Sequence, residues 1–130
     1  FLKRYNVGGR DLNIARYMAM CEWFDETCGH LLDHLDKRKL TDNTLVIFCN
    51  DNGWITPTVP EDKKSPFGAD RAKRSPYDGG IRTPFVLKWP NHTRPGRYND
   101  LVLTIDFAPT ILRACNIKVP EPMQGVDLMQ

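Results

Sequence analysis

Two short clusters in this 130-residue chain carry residue types that can do chemistry together. Asp51-Asn52-Gly53-Trp54 follows the apolar run Thr44-Leu45-Val46-Ile47-Phe48-Cys49, with only Asn50 between. A carboxylate and a carboxamide therefore stand where a buried strand would end. Both are hard oxygen donors of the kind that hold Ca²⁺ or Mg²⁺. Further on, Lys73-Arg74-Ser75-Pro76-Tyr77-Asp78-Gly79-Gly80-Ile81-Arg82-Thr83-Pro84 sets a lysine close to a Gly-Gly pair. An ammonium is a compact charge suited to an anionic group. Paired glycines mark unusual dihedrals or a close backbone approach. A cation site beside an anion site is the equipment for acting on a sulfate or phosphate ester.

Each residue also has an ordinary reading. Asp-Asn-Gly is a turn-forming triplet. Asp78 and Arg82 read equally as a structural ion pair, and Lys73 alone as a solvated loop lysine like Lys63 and Lys64. Trp54 either lines a pocket or packs at the loop base. His30 and His34, four apart, read as a solvated helix face rather than a metal pair. Asn91-His92-Thr93 has the form of an N-glycosylation acceptor. Asp51 and Asn52 supply at most about three of the ~6–8 oxygens that Ca²⁺ takes, so other ligands must come from elsewhere.

The elements that position these clusters follow from periodicity. Residues 11–39 read as one long helix. Ile14, Tyr17, Met18, Cys21, Phe24, Cys28, Leu31, Leu32 and Leu35 recur at helical spacing and predict an apolar stripe on a core. Asp11 suits its N-cap, and Lys37, Arg38 and Lys39 its C-terminal end. Residues 44–49 form an apolar run without alternation, the pattern of a strand covered on both faces in a parallel sheet. Residues 50–83 read as a functional loop. Strands are predicted over 84–89 and 101–105, then a helix over 106–116 capped by Asp106. The order predicts an α/β fold, part of a mostly parallel sheet flanked by helices. In such sheets ligands gather at the carboxyl ends of strands, where Asp51 and Asn52 lie.

Composition narrows the function classes. The net charge of +2 gives no argument for nucleic-acid binding. No apolar stretch approaches the ~20 residues of a membrane span. Cys21 and Cys28 are about 10 Å apart along a helix axis, too far for a disulfide. With Cys49 and Cys115 they read as core thiols. No C-x-x-C motif calls for zinc. A sequence opening on Phe1, without an initiator methionine, reads as a segment of something longer.

Taken together and in order, the segments resemble the sulfatase family, within the alkaline-phosphatase-like superfamily. Residues 17–26 resemble the family's helix before its metal strand. Asp42-Asn43-Thr44-Leu45-Val46-Ile47-Phe48 with Asp51-Asn52-Gly53 resembles the metal strand and turn. Lys73 to Pro84 resembles the lysine and Gly-Gly-x-Arg-x-Pro segment. Residues 105–112 resemble a later structural helix, and 123–128 the lead into a smaller C-terminal subdomain. The resemblance implies Asp51 and Asn52 as ligands of Ca²⁺, ahead of Mg²⁺. It implies Lys73 as a catalytic and sulfate-binding residue, with Trp54 beside the substrate. It further implies a sulfated small molecule or glycan as substrate, the remainder of a sulfatase chain as partner, and export.

The chain departs from the family in ways that limit the reading. The family's formylglycine nucleophile arises from a C/S-x-P/A-x-R motif, which none of Cys21, Cys28, Cys49 or Cys115 begins. Its paired N-terminal aspartates are also missing. The expectation is a C-terminal-half fragment, truncated at both ends and inactive alone. Two alternatives stay open. One is a phosphoester hydrolase of the same superfamily. The other is a non-catalytic binder of sulfated glycans through Lys63, Lys64, Arg71, Lys73 and Arg74.

Overall fold

The computed structural model describes residues 1–9, 11–54 and 69–129. The chain divides into two compact units, Phe1–Thr44 and Leu45–Gln130.

The first unit is helical. A short helix, α1 (Leu2–Tyr5), packs against the long helix α2 (Leu12–Lys37). Asp11 caps α2, accepting from the N–H groups of Asn13 at 2.8 Å and Ile14 at 3.2 Å. At the other end Lys39 takes a left-handed φ of 57°. Its N–H donates to Asp36 O, and Leu40 N–H donates to Leu35 O, both at 2.9 Å. That pair of bonds is a Schellman motif, with lysine in the place glycine usually takes. Thr41 Oγ1 then donates to the Asp36 carboxylate, closing the turn.

The apolar stripe of α2 meets less cover than its periodicity predicts. Only Ala15 and Ala19 are buried in this helix. They share a face with Glu22, whose carboxylate pairs with Arg4 of α1. Small side chains on that face allow the close approach of α1. A four-residue helix cannot cover the neighbouring stripe, so Ile14, Tyr17, Phe24 and Leu31 stay exposed. The Tyr17 phenol is held above its ordinary pKa, chiefly by a side-chain hydrogen bond with Cys21, then by electrostatic interaction with the same residue. The cysteines correct a prediction as well. All four are free thiols, but Cys21, Cys49 and Cys115 are exposed and Cys28 is only half-buried. They lie on the uncovered stripe, at a strand end and at a helix end.

The second unit carries the sheet. Strands β1 (Val46–Cys49) and β2 (Phe85–Lys88) pair antiparallel, Val46 opposite Lys88 and Cys49 opposite Phe85. The predicted sheet is mostly parallel, whereas the described one is this antiparallel pair. Val46 to Phe48 are accordingly half-buried rather than covered on both faces. Within residues 50–83 a 3₁₀ turn (Ala69–Arg71) and a short helix α3 (Asp78–Ile81) interrupt the predicted loop.

The strand expected over 101–105 does not form. Thr104–Asp106 is a 3₁₀ turn leading into α4 (Phe107–Ala114). Apolar, β-branched residues there favour a strand, but the Asp106 side chain wins. Its Oδ2 accepts from Leu103 N–H at 2.8 Å, bending the chain back on itself. The side-chain cap predicted for Asp106 on α4 therefore does not form. Its Oδ1 accepts from Val126 N–H at 2.9 Å instead. Thr110, fully buried, donates to Asp106 O at 2.7 Å and accepts from Leu128 N–H at 3.0 Å. Gly125 completes the clamp: a Cβ there would sit 2.6 Å from the Ile105 carbonyl carbon. Phe107 of α4 stacks on Phe85 of β2, with ring centroids 5.0 Å apart. These contacts fix β2, α4 and the segment after it as one piece.

Candidate functional site

The residues after β1 and those before α3 are joined through their backbones. Gly53 N–H donates to Gly80 O at 2.8 Å, and Lys73 N–H donates to Trp54 O at 2.6 Å. Each glycine is required by the space it leaves. A Cβ on Gly53 would lie 2.7 Å from Gly80 C and closer still to Gly79 O. A Cβ on Gly80 would meet Ala72 O at 2.5 Å and Ser75 Oγ at 2.8 Å. Real side chains do not tolerate such distances to backbone atoms. Gly53 and Gly80 thus serve one purpose, to let two turns touch.

Ser75 N–H donates to Ala72 O at 3.0 Å, so Lys73 and Arg74 are the central residues of a tight turn. Arg74 has φ 76°. A positive φ at the third residue alone is the signature of a type II turn, which favours glycine there. An arginine in that place costs roughly 1–2 kcal/mol of backbone strain. Arg71 lies just before this turn, its guanidinium 4.5 Å from the centroid of the Tyr77 ring. That is a cation–π contact. Asp78 at the start of α3 and Arg82 just after its end form an ion pair at 3.4 Å, with both side chains mostly exposed. Screening leaves such a pair little energetic weight.

Among the residues singled out in the sequence, Asp51 and Lys73 are exposed and Asn52 is half-buried. Trp54 is half exposed, and its carbonyl receives the Lys73 N–H. Lys63 and Lys64 lie outside the described residues. His30 and His34 are exposed on α2. Among the described residues no three His, Cys, Asp or Glu side chains gather as a metal centre. The donor set of Asp51 and Asn52 therefore fits a hard cation in kind and not in number. Sequence reasoning missed the left-handed turn at Arg74, for which the side-chain pattern carries no signal. It also missed the clamp of Asp106, Thr110 and Gly125, whose one signal was an isolated glycine in a Pro-rich segment.

The Sulfatase family profile matches residues 2–117 of the chain. The uncharacterized sulfatase YdeN of Escherichia coli is 32% identical over 99% of this chain and 22% of its own length. An N-acetylgalactosamine-6-O-sulfatase of Bacteroides thetaiotaomicron is 32% identical over 75% of this chain and 20% of its own. An ulvan-active sulfatase of Formosa agariphila is 32% identical over 88% of this chain and 21% of its own. The chain thus spans about a fifth of the length of the curated relatives it matches.

Proposed function

Because this chain belongs to the sulfatase family, we propose that it works within a longer enzyme that hydrolyses sulfate esters. The observation that carries this reading is the double backbone tie, Gly53 to Gly80 and Trp54 to Lys73. It couples the turn bearing Asp51 and Asn52 to the turn bearing Lys73. In this reading Asp51 and Asn52 supply two side-chain ligands of a Ca²⁺ ion, ahead of Mg²⁺, and further sequence supplies the rest. A formylglycine on that further sequence would provide the nucleophile, and the cation would draw charge from the sulfate oxygens. Lys73 binds the sulfate and stabilises charge growing on the leaving oxygen. Its backbone is fixed in advance, so little reorganisation is needed as that charge develops. Trp54 offers an aromatic face next to the same turn. The substrate class is a sulfated small molecule or glycan. Two relatives are named for a sulfated amino sugar and for ulvan.

The same reading supplies cover for α2 and neighbours for β1. Further sulfatase sequence packs on the stripe of Ile14, Phe24 and Leu31 and extends the strand pair into a mostly parallel sheet. The chain by itself does not turn over, since it holds no nucleophile motif. Export is part of this reading and rests on the family resemblance. No helix among the described residues is long and apolar enough to cross a membrane.

The test is Lys73→Ala in the full-length protein. Sulfate release is expected to fall by roughly 100-fold or more, the effect of losing one preorganised charge-stabilising group. Thermal stability should be unchanged, because the Lys73 side chain is exposed. A rate within a few-fold of wild type would remove Lys73 from the chemistry.

A further inference from the structure

We infer that Arg74 is a specificity residue, binding a second anionic group on the same substrate molecule that Lys73 engages. The inference rests on the sulfatase reading and names the kind of ester: one carrying more than one sulfate or carboxylate. Three observations carry it.

The first is placement. Lys73 and Arg74 are the two central residues of the turn closed by Ser75 N–H on Ala72 O. Consecutive Cα atoms are about 3.8 Å apart. Two cations so close present paired charge on the scale of neighbouring substituents on one saccharide. Both side chains are exposed, and among the described residues no carboxylate forms an ion pair with either.

The second is rigidity. The turn is held from both sides, by Lys73 N–H on Trp54 O and by Gly80 seated under the carbonyls of Ala72 and Ser75. A cation on a fixed turn gives up less freedom on binding than one on a loose loop.

The third is the residue type. Position 74 has φ 76°, where glycine is free of strain and arginine is not. Unfavourable dihedrals persist where the side chain is needed for something else. A guanidinium offers a planar fork that matches sulfate and carboxylate oxygens two at a time. Arg71, steered by the Tyr77 ring, adds positive charge next to the turn without sharing its strain.

The experiment compares Arg74→Gly with wild type in the full-length protein. Glycine removes the guanidinium and also relieves the backbone, so misfolding does not confound the result. The probes are a trisulfated and a monosulfated disaccharide of the same sugars, with binding measured by calorimetry at two salt concentrations. The ratio of affinities, trisulfated over monosulfated, is expected to fall about tenfold in Arg74→Gly. The salt dependence of trisulfated binding should weaken with it. Arg74→Lys should recover part of the ratio, since charge survives and the fork does not. A ratio within twofold of wild type would overturn the assignment, as would equal losses on both probes. Sulfate release by the wild type is measured separately. Its absence would defeat the sulfatase reading, while the binding ratio would still decide the role of Arg74.

Discussion

The long helix α2 and the pair of turns around Gly53 and Gly80 invert the usual relation between hydrophobicity and packing. α2 carries Ile14, Trp23, Phe24 and Leu31, yet each is more than half exposed. The turns carry charged and polar side chains at the surface, yet no atom can be added at either glycine. In the helix the information lies in the spacing of its apolar side chains. In the turns it lies in the backbone, which is already placed by its own hydrogen bonds. The geometry of the charged residues is therefore local, and the burial of the helix is not.

The largest effect should come from breaking the turns. Gly53→Ala forces a methyl into the carbonyls of Gly79 and Gly80. Overpacking of this kind costs roughly 1–3 kcal/mol. The greater loss is functional, because the Asp51 and Lys73 turns must separate. A shift of about 1 Å in a reacting group can cost on the order of 100-fold in rate. Sulfate release by full-length Gly53→Ala is expected to fall by at least that factor, with the protein still folded by circular dichroism. An active Gly53→Ala enzyme would show that the two turns need not touch.

The helix is expected to behave in the opposite way. Phe24→Ala in the full-length protein should lower stability by about 3 kcal/mol, as for a buried phenylalanine. The rate per folded molecule should be unchanged. Urea unfolding followed by fluorescence reads the first, and an active-site-normalised assay the second. A cost below about 0.5 kcal/mol, typical of a surface position, would mean that the stripe faces solvent in the whole protein.

The two regions were also unequally legible in the sequence. The apolar period and Asp11 mark out α2, because a helix depends on neighbours three and four residues away. The Gly-Gly pair and the Asp-Asn-Gly triplet mark where backbones come close. The sequence does not show that they come close to each other, since that contact links residues far apart in the chain. Residues 101–105 failed for a related reason. Leu101, Val102 and Ile105 have strand propensity, but the Asp106 carboxylate takes the Leu103 N–H that a strand would need. Strand direction was not legible either: an unbroken apolar run speaks of cover, and pairing direction depends on what lies beside the strand, here an antiparallel β2.

The smallest effect sharpens the comparison most, because both regions contain a cation at a left-handed position. Lys39 has φ 57° at the end of α2, and Arg74 has φ 76° in the site turn. Lys39 closes a Schellman motif, where glycine removes the Cβ penalty at no cost in hydrogen bonds. Lys39→Gly is expected to stabilise the protein by about 0.5–1 kcal/mol, net of the extra freedom glycine gives the unfolded chain. Arg74→Gly should stabilise it by a similar amount for the same backbone reason. If strain alone mattered, the two substitutions would be equivalent. The expectation is that they match in urea midpoint and differ in discrimination, Lys39→Gly keeping the wild-type ratio of trisulfated to monosulfated binding and Arg74→Gly losing it. The helix end then carries a cation that suits its dipole and that glycine can replace without functional loss. The site turn carries one that stability alone would have replaced, and its strain is the cost of recognition.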